Sequence, residues 1–193
     1  MKNNIIIISG MAGTGKSTFA KWLSAELSVP LVCFDNIIKK STELAESKYD
    51  NPELYPPIVK DFPYAFLWFS IEEIMKSSSP LIVDYVFMEM HRAAIDLLAS
   101  KYLYKTIQIH FDANAEIAYK RFIKRNEGDV KEKNIRQFDL DLSRFTELSE
   151  DSRNFRYGDS FIYVNTNDFK IVNYNEIASS VITFAKEGLK LYV

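Results

Sequence analysis

The chain has 193 residues, of which 47% are hydrophobic and 26% charged, an ordinary globular composition and the length of one domain around one core. A formal net charge of −2 gives no overall attraction to a polyanion, which argues against nucleic acid as the main partner. No apolar run approaches the roughly 20 residues of a membrane span, and the N-terminus lacks the long apolar stretch of a secretory signal. A single cysteine, Cys33, excludes an internal disulfide. A cytoplasmic protein without membrane association is the expectation.

In chain order, residues 5–9 form a β-branched run suited to a strand buried on both faces. Residues 17–27 follow with Phe19, Leu23 and Leu27 at helical spacing. A short strand over residues 31–34 ends at Asp35. Residues 41–80 hold five of the six prolines together with Tyr49, Tyr55, Phe62, Tyr64, Phe66, Trp68 and Phe69, and read as an insertion that either lines an acceptor pocket or closes the core. Within it, Pro63 is placed to open a helix reaching about Lys76, with Leu67, Ile71 and Ile74 on one face. Strands at 81–83, 106–111 and 161–164 alternate with helical patterns at 89–100, 116–124 and 175–187, the last closed by Gly188. No linker, repeat or low-complexity tract interrupts residues 1–193, so a single domain is expected, with a parallel sheet covered by helices on both faces.

The sharpest signal is Gly10-Met11-Ala12-Gly13-Thr14-Gly15-Lys16-Ser17, with Thr18 continuing into the helix. It fits Gly, four residues, Gly, Lys, Ser/Thr in full, a pattern with a chance occurrence of about 1% in a chain this long. Its setting between a buried strand and a helix is what the mechanism needs. Successive N–H groups turn inward and the helix N-terminus favours an anion, so phosphate is the natural guest. Lys16 would reach the β- and γ-phosphates of ATP or GTP, and the Ser17 hydroxyl would ligate Mg²⁺. A dinucleotide site is the rival, because Asp35 ends the second strand about twenty residues on. The spacing Gly10, Gly13, Gly15 is not Gly-x-Gly-x-x-Gly, and Lys16-Ser17 has no part in such a site.

Leu81-Ile82-Val83-Asp84 is an apolar strand ending in a carboxylate, suited to holding Mg²⁺ directly or through water. Asp35 and Asp84 both end strands, so both should converge with the loop on one crevice. Asp35 is the candidate for accepting the proton of an attacking hydroxyl, the alternative being a helix N-cap. Arg121 and Arg125 lie four apart on one helix face and could brace the transferring phosphoryl group, or pair on the surface. Arg136, Arg144 and Arg153 are further candidates, and residues 120–136, with seven Lys/Arg against three acids, could form part of a lid over 120–150. His91, His110 and Cys33 read as structural.

On these motifs the sequence resembles the small P-loop kinases that phosphorylate metabolites, antibiotics or nucleosides, among them gluconate kinase, shikimate kinase, chloramphenicol phosphotransferase and related AAA-type kinases. The resemblance implies an α/β P-loop NTPase fold, a three-layer sandwich with a five-stranded parallel sheet in the order 2-3-1-4-5. It implies that Asp35 contacts the acceptor hydroxyl, that Arg121 and Arg125 belong to the lid region, and that Asn165-Thr166 adjoins the adenine. Shikimate kinases carry Asp-x-Asp on the second strand, whereas Cys33 takes the first of those positions here. The expected activity is ATP- and Mg²⁺-dependent transfer of the γ-phosphoryl group to a hydroxyl of a small molecule. A nucleoside, nucleotide or polynucleotide 5′-kinase is the nearest alternative, and an NTPase switch without a small-molecule acceptor is the alternative of another class.

Overall fold

The run Ile5-Ile6-Ile7-Ile8 sets the layering of the molecule. β-Branched side chains favour extended backbone, and alternate residues of a strand face opposite ways, so a strand apolar at every position must be covered twice. A computed structural model describes residues 3–50, 55–126 and 140–187. In it this run forms β1 (Asn4–Ser9), buried at every residue. It is the centre of an all-parallel sheet with β2 (Leu31–Cys33), β3 (Leu81–Asp84), β4 (Lys105–Asp112) and β5 (Ser160–Asn165). The order is 2-3-1-4-5.

Seven α-helices accompany the sheet among the described residues: α1 (Lys16–Leu27), α2 (Phe34–Glu46), α3 (Pro57–Lys76), α4 (Arg92–Tyr102), α5 (Ala115–Asn126), α6 (Leu142–Asn154) and α7 (Tyr174–Glu187). Ile5 and Ile7 join Leu81 and Val83 beneath Leu67, Ile71 and Met75 of α3 and Ile95 of α4. Ile6 and Ile8 join Ile107 and Ile109 beneath Phe19 and Leu23 of α1 and Val181 and Phe184 of α7. Each such side chain contributes about 1.5–3 kcal/mol by leaving water, so the sheet is clamped from both sides. None of the described helices is long and apolar enough to cross a membrane.

One part of the sheet is polar inside. Gln108 of β4 is fully buried, and its amide donates to Ser9 Oγ at 2.8 Å and to the Phe155 carbonyl at 3.0 Å. Its oxygen accepts from the Tyr157 N–H at 2.6 Å. A buried amide is tolerable only when so satisfied. Here it ties the chain leaving α6 to the sheet centre.

Three local expectations need correction. The second strand stops at Cys33, and Phe34 opens α2, so Asp35 lies in the first helical turn and not at a strand end. The helix expected from Pro63 begins at Pro57, leaving Pro63 inside it. Pro57 at the first turn loses no hydrogen bond, whereas Pro63 forgoes one. Helix α6, with Asp141 capping it by accepting from Arg144 N, lies where no helix was expected.

Candidate active site

The segment after β1 turns on glycines that could be nothing else. Gly13 has φ +80°, and a Cβ there would lie 2.1 Å from the Ala118 carbonyl oxygen of α5. Gly15 has φ +87°, and a Cβ there would lie 2.6 Å from the Phe169 ring. A side chain at either would meet both strain and collision. The loop is braced from within by Thr14 Oγ1, which donates to the Met11 carbonyl at 2.8 Å. Met11 is anchored beneath by Ala113, Ala118 and Phe145. Gly15 then opens α1 at Lys16, with Thr18 N and Phe19 N donating to the Gly15 carbonyl at 3.1 and 3.2 Å. Of the remaining predicted loop residues, Ala12 and Ser17 are half-buried and Thr18 is exposed.

The sheet register levels the other partners with this loop. Asp84 pairs with Ile8 on one side and Cys33 on the other. Lys16 Nζ lies 3.7 Å from Asp84 Oδ1 and 3.4 Å from Ser17 Oγ. Asp84 Oδ2 accepts from the Cys33 thiol at 3.4 Å, while Oδ1 is buried with no hydrogen-bond partner. A buried carboxylate oxygen that makes no hydrogen bond and meets only the Lys16 ammonium at 3.7 Å is incompletely satisfied. A divalent cation shared with the Ser17 hydroxyl would answer it, so the oxygen donors present fit Mg²⁺.

Burial, and then the charge of Asp84, push the Cys33 thiol up to about 11. Asp35, half-buried in the first turn of α2, lies two residues beyond Cys33, whose thiol reaches Asp84. The neighbours of both aspartates were not singled out from sequence. Phe34 precedes Asp35 and Tyr85 follows Asp84, and their rings meet at 4.6 Å, with Tyr64 of α3 at 4.9 Å from Phe34. The signal available was their adjacency to the two aspartates. Tyr85 Oη is 3.3 Å from His91 Nε2, and burial lowers the His91 pKa.

The arginines divide. Arg121 is committed: Nη1 donates to the Thr166 carbonyl at 2.8 Å and Nη2 to the Asn167 carbonyl at 3.0 Å, with the guanidinium 4.1 Å from the Phe169 ring centre. Arg125, one turn further along α5, is exposed. Arg121 thereby bridges α5 to the residues that follow β5. Arg144 pairs with Glu147 at 2.6 Å, and Arg153 forks onto both oxygens of Asp112 at 2.8 and 3.0 Å. Arg136 and much of the expected lid lie outside the described residues. Asn165 Oδ1 accepts from Asn167 N at 2.9 Å, and Thr166, fully buried, donates through Oγ1 to the Asp112 carbonyl at 3.0 Å. His110, in β4, faces Ser9 Oγ across 2.9 Å from Nδ1, and burial pushes its pKa down to about 4.

A glycine-braced loop leaving the central strand of a 2-3-1-4-5 parallel sheet, with a lysine at the helix start and a carboxylate at the next strand end, defines the P-loop class. Residues 5–148 match the AAA domain family, to which the chain belongs. Its fold is that of P-loop phosphotransferases. A protein of Chloroflexus aurantiacus described as a candidate kinase aligns with TM-score 0.75 at 18% identity, over 95% of this chain and 98% of that one. The APS kinase of Mycobacterium tuberculosis, solved with AMPPNP and APS, aligns with TM-score 0.60 at 14% identity, over 96% and 99%. Shikimate kinase of Aquifex aeolicus aligns with TM-score 0.58 at 17% identity, over 95% and 97%.

Proposed function

We propose that the chain is an ATP- and Mg²⁺-dependent kinase that transfers the γ-phosphoryl group to a hydroxyl of a small molecule in the cytoplasm. The observation that carries this reading is Asp84 Oδ1, buried without a hydrogen bond and 3.7 Å from Lys16 Nζ, which in turn lies 3.4 Å from Ser17 Oγ at the mouth of the phosphate loop. The binding of AMPPNP by the APS kinase of the same fold supports ATP as donor.

In this reading the N–H groups of residues 10–18 cradle the phosphates and Lys16 spans the β- and γ-phosphates. Ser17 and Asp84 would hold Mg²⁺, which neutralises charge on the phosphate oxygens. Asp35 orients the acceptor hydroxyl and takes its proton as the new O–P bond forms and the bond to the β-phosphate oxygen breaks. Arg125 supplies mobile positive charge from the lid arm over 120–150. Arg121 instead acts at the purine end, holding Thr166, Asn167 and Phe169 against the loop. Residues 41–80 form the acceptor side of a single 1–193 kinase domain.

The test is ADP formation from Mg-ATP by the protein and its Lys16→Ala variant, against sugars, nucleosides, nucleoside monophosphates, antibiotics and 5′-hydroxyl oligonucleotides. One acceptor class should raise turnover, and Lys16→Ala should abolish it. Turnover indifferent to every acceptor would instead favour an NTPase switch.

A further inference from the structure

Helix α3 is apolar on two opposite sides. On one side Pro63, Leu67, Ile71 and Met75 are buried, the last three in the core beneath the helix. The opposite side carries Ile58, Phe62, Phe66 and Phe69, spaced four, four and three residues apart and so aligned along the helix. These four are 65%, 43%, 40% and 56% exposed. Phe62 stacks on Phe66 with ring centres 5.5 Å apart, and Phe66 tilts against Phe69 at 6.2 Å. Among the described residues the three rings have no ring partner but one another. A helix that is apolar all round is normally covered all round, and here the protomer covers one side.

Size and charge narrow what covers the other. A free phenylalanine presents roughly 200 Å², so the three rings and Ile58 together leave about 400 Å² of apolar surface in one stripe. A standard interface takes about 800 Å² from each partner, about 65% of it apolar where two copies of one chain meet. The stripe supplies most of that apolar share, and the exposed Asp61, Ala65 and Glu73 beside it supply a rim. A lipid surface would call for Lys or Arg along the edges of the stripe. The exposed charges there are instead Asp61 and Glu73, and Lys76 is already paired with Glu73.

The stripe also complements itself. About a two-fold axis beside Phe66, two antiparallel copies of α3 set Phe62 of each against Phe69 of the other. That arrangement brings opposite ends of the two helix dipoles together and keeps Asp61 and Glu73 of one copy away from the same residues of the other, whereas a parallel pair stacks like charges. A self-complementary contact closes at two copies and leaves no stripe uncovered. We infer that the outer face of α3 is the contact surface of a homodimer, in which two copies of this chain pack antiparallel through Ile58, Phe62, Phe66 and Phe69.

Sedimentation velocity of the full chain across the micromolar range should show a species of twice 22.4 kDa. Phe66→Glu and, separately, Phe69→Glu should raise the dimer Kd at least about hundredfold. Both side chains point away from the core, so circular dichroism should be unchanged. Leu97→Glu, which places the same charge on an exposed apolar site of α4, should leave the dimer intact. Ala65→Cys should cross-link to its counterpart through a short bismaleimide, and Lys76→Cys, about 30 Å from its counterpart in an antiparallel pair, should not. A monomer at every concentration overturns the inference, as does a dimer that both Phe→Glu variants leave intact. Efficient cross-linking of Lys76→Cys overturns the antiparallel pairing. Flotation of the chain with phosphatidylcholine vesicles, lost in Phe69→Glu, assigns the stripe to a lipid surface and overturns the homodimer.

Discussion

Lys16 Nζ and Asp84 Oδ1 face each other across 3.7 Å with 7% and 2% of their side chains exposed. Opposite charges that dry must be paired, and removal of one strands the other at a cost of about 3–5 kcal/mol. Lys16→Met and Asp84→Asn should each lower the denaturation midpoint. The double variant should lose at least ~1 kcal/mol less than the sum of the two, because the survivor's penalty is absent. Additive losses in a urea-denaturation cycle would show that the two charges do not sense each other.

His110 carries a pH prediction. Burial lowers its folded-state pKa to about 4, below the unfolded value near 6.5. A depressed pKa means that folding favours the neutral ring, so the stability it protects is present above about pH 6.5 and is lost as pH falls towards about 4. The full loss is on the order of 3 kcal/mol. His110→Gln should flatten the stability profile across that window, measured as the urea midpoint at half-unit pH steps. A variant profile that parallels the parent would sink the assignment.

The contact of Arg121 with Phe169 ties α5, the loop after β5 and Gly15 into one corner. Arg121→Ala removes two donors to carbonyls and should weaken ATP binding by roughly tenfold, in line with charged hydrogen bonds worth about 1.5–3 kcal/mol. Gly15→Ala should be worse, since its Cβ would drive into the Phe169 ring. In that background Phe169→Ala should recover part of the binding, read by titration calorimetry, and no recovery would mean that backbone strain alone is responsible.

Cys33 should be silent to thiol reagents. Its pKa near 11 leaves almost no thiolate at neutral pH, and the side chain is buried against Asp84. Disulfide-exchange reagents at pH 8 should label it only on unfolding. Saturation of Asp84 with a cation would relieve part of the shift, so Mg²⁺ with nucleotide should not slow the reaction of any native fraction. Fast native labelling would contradict the burial.

What could be seen in the sequence was whatever repeats locally. Ile5 to Ile8 announced a doubly covered strand, and the spacing of Gly10, Gly13, Gly15, Lys16 and Ser17 announced the loop. The AAA family match and the 2-3-1-4-5 sheet accord with that reading. The misplaced elements are those that tertiary contacts decide. Phe34 looked like a strand residue because it is apolar, yet it opens α2 as its ring packs on Tyr85 and Tyr64. Arg121 looked free because the carbonyls of Thr166 and Asn167 that hold it lie 45 and 46 residues away. Helix α6 is largely polar and leaves only Phe145, Ser149 and Ser152 buried, too faint a stripe to announce itself.

The central place of β1 has a consequence for how the chain is made. Ile5 pairs with Leu81 on one side and Thr106 on the other. During synthesis the most apolar strand therefore emerges first and waits for some hundred residues before both flanks exist. Non-local parallel pairing of this kind is intrinsically slow. A nascent chain stopped after β3 would expose one edge of the isoleucine strand, the kind of surface that chaperones capture and that aggregates when they do not.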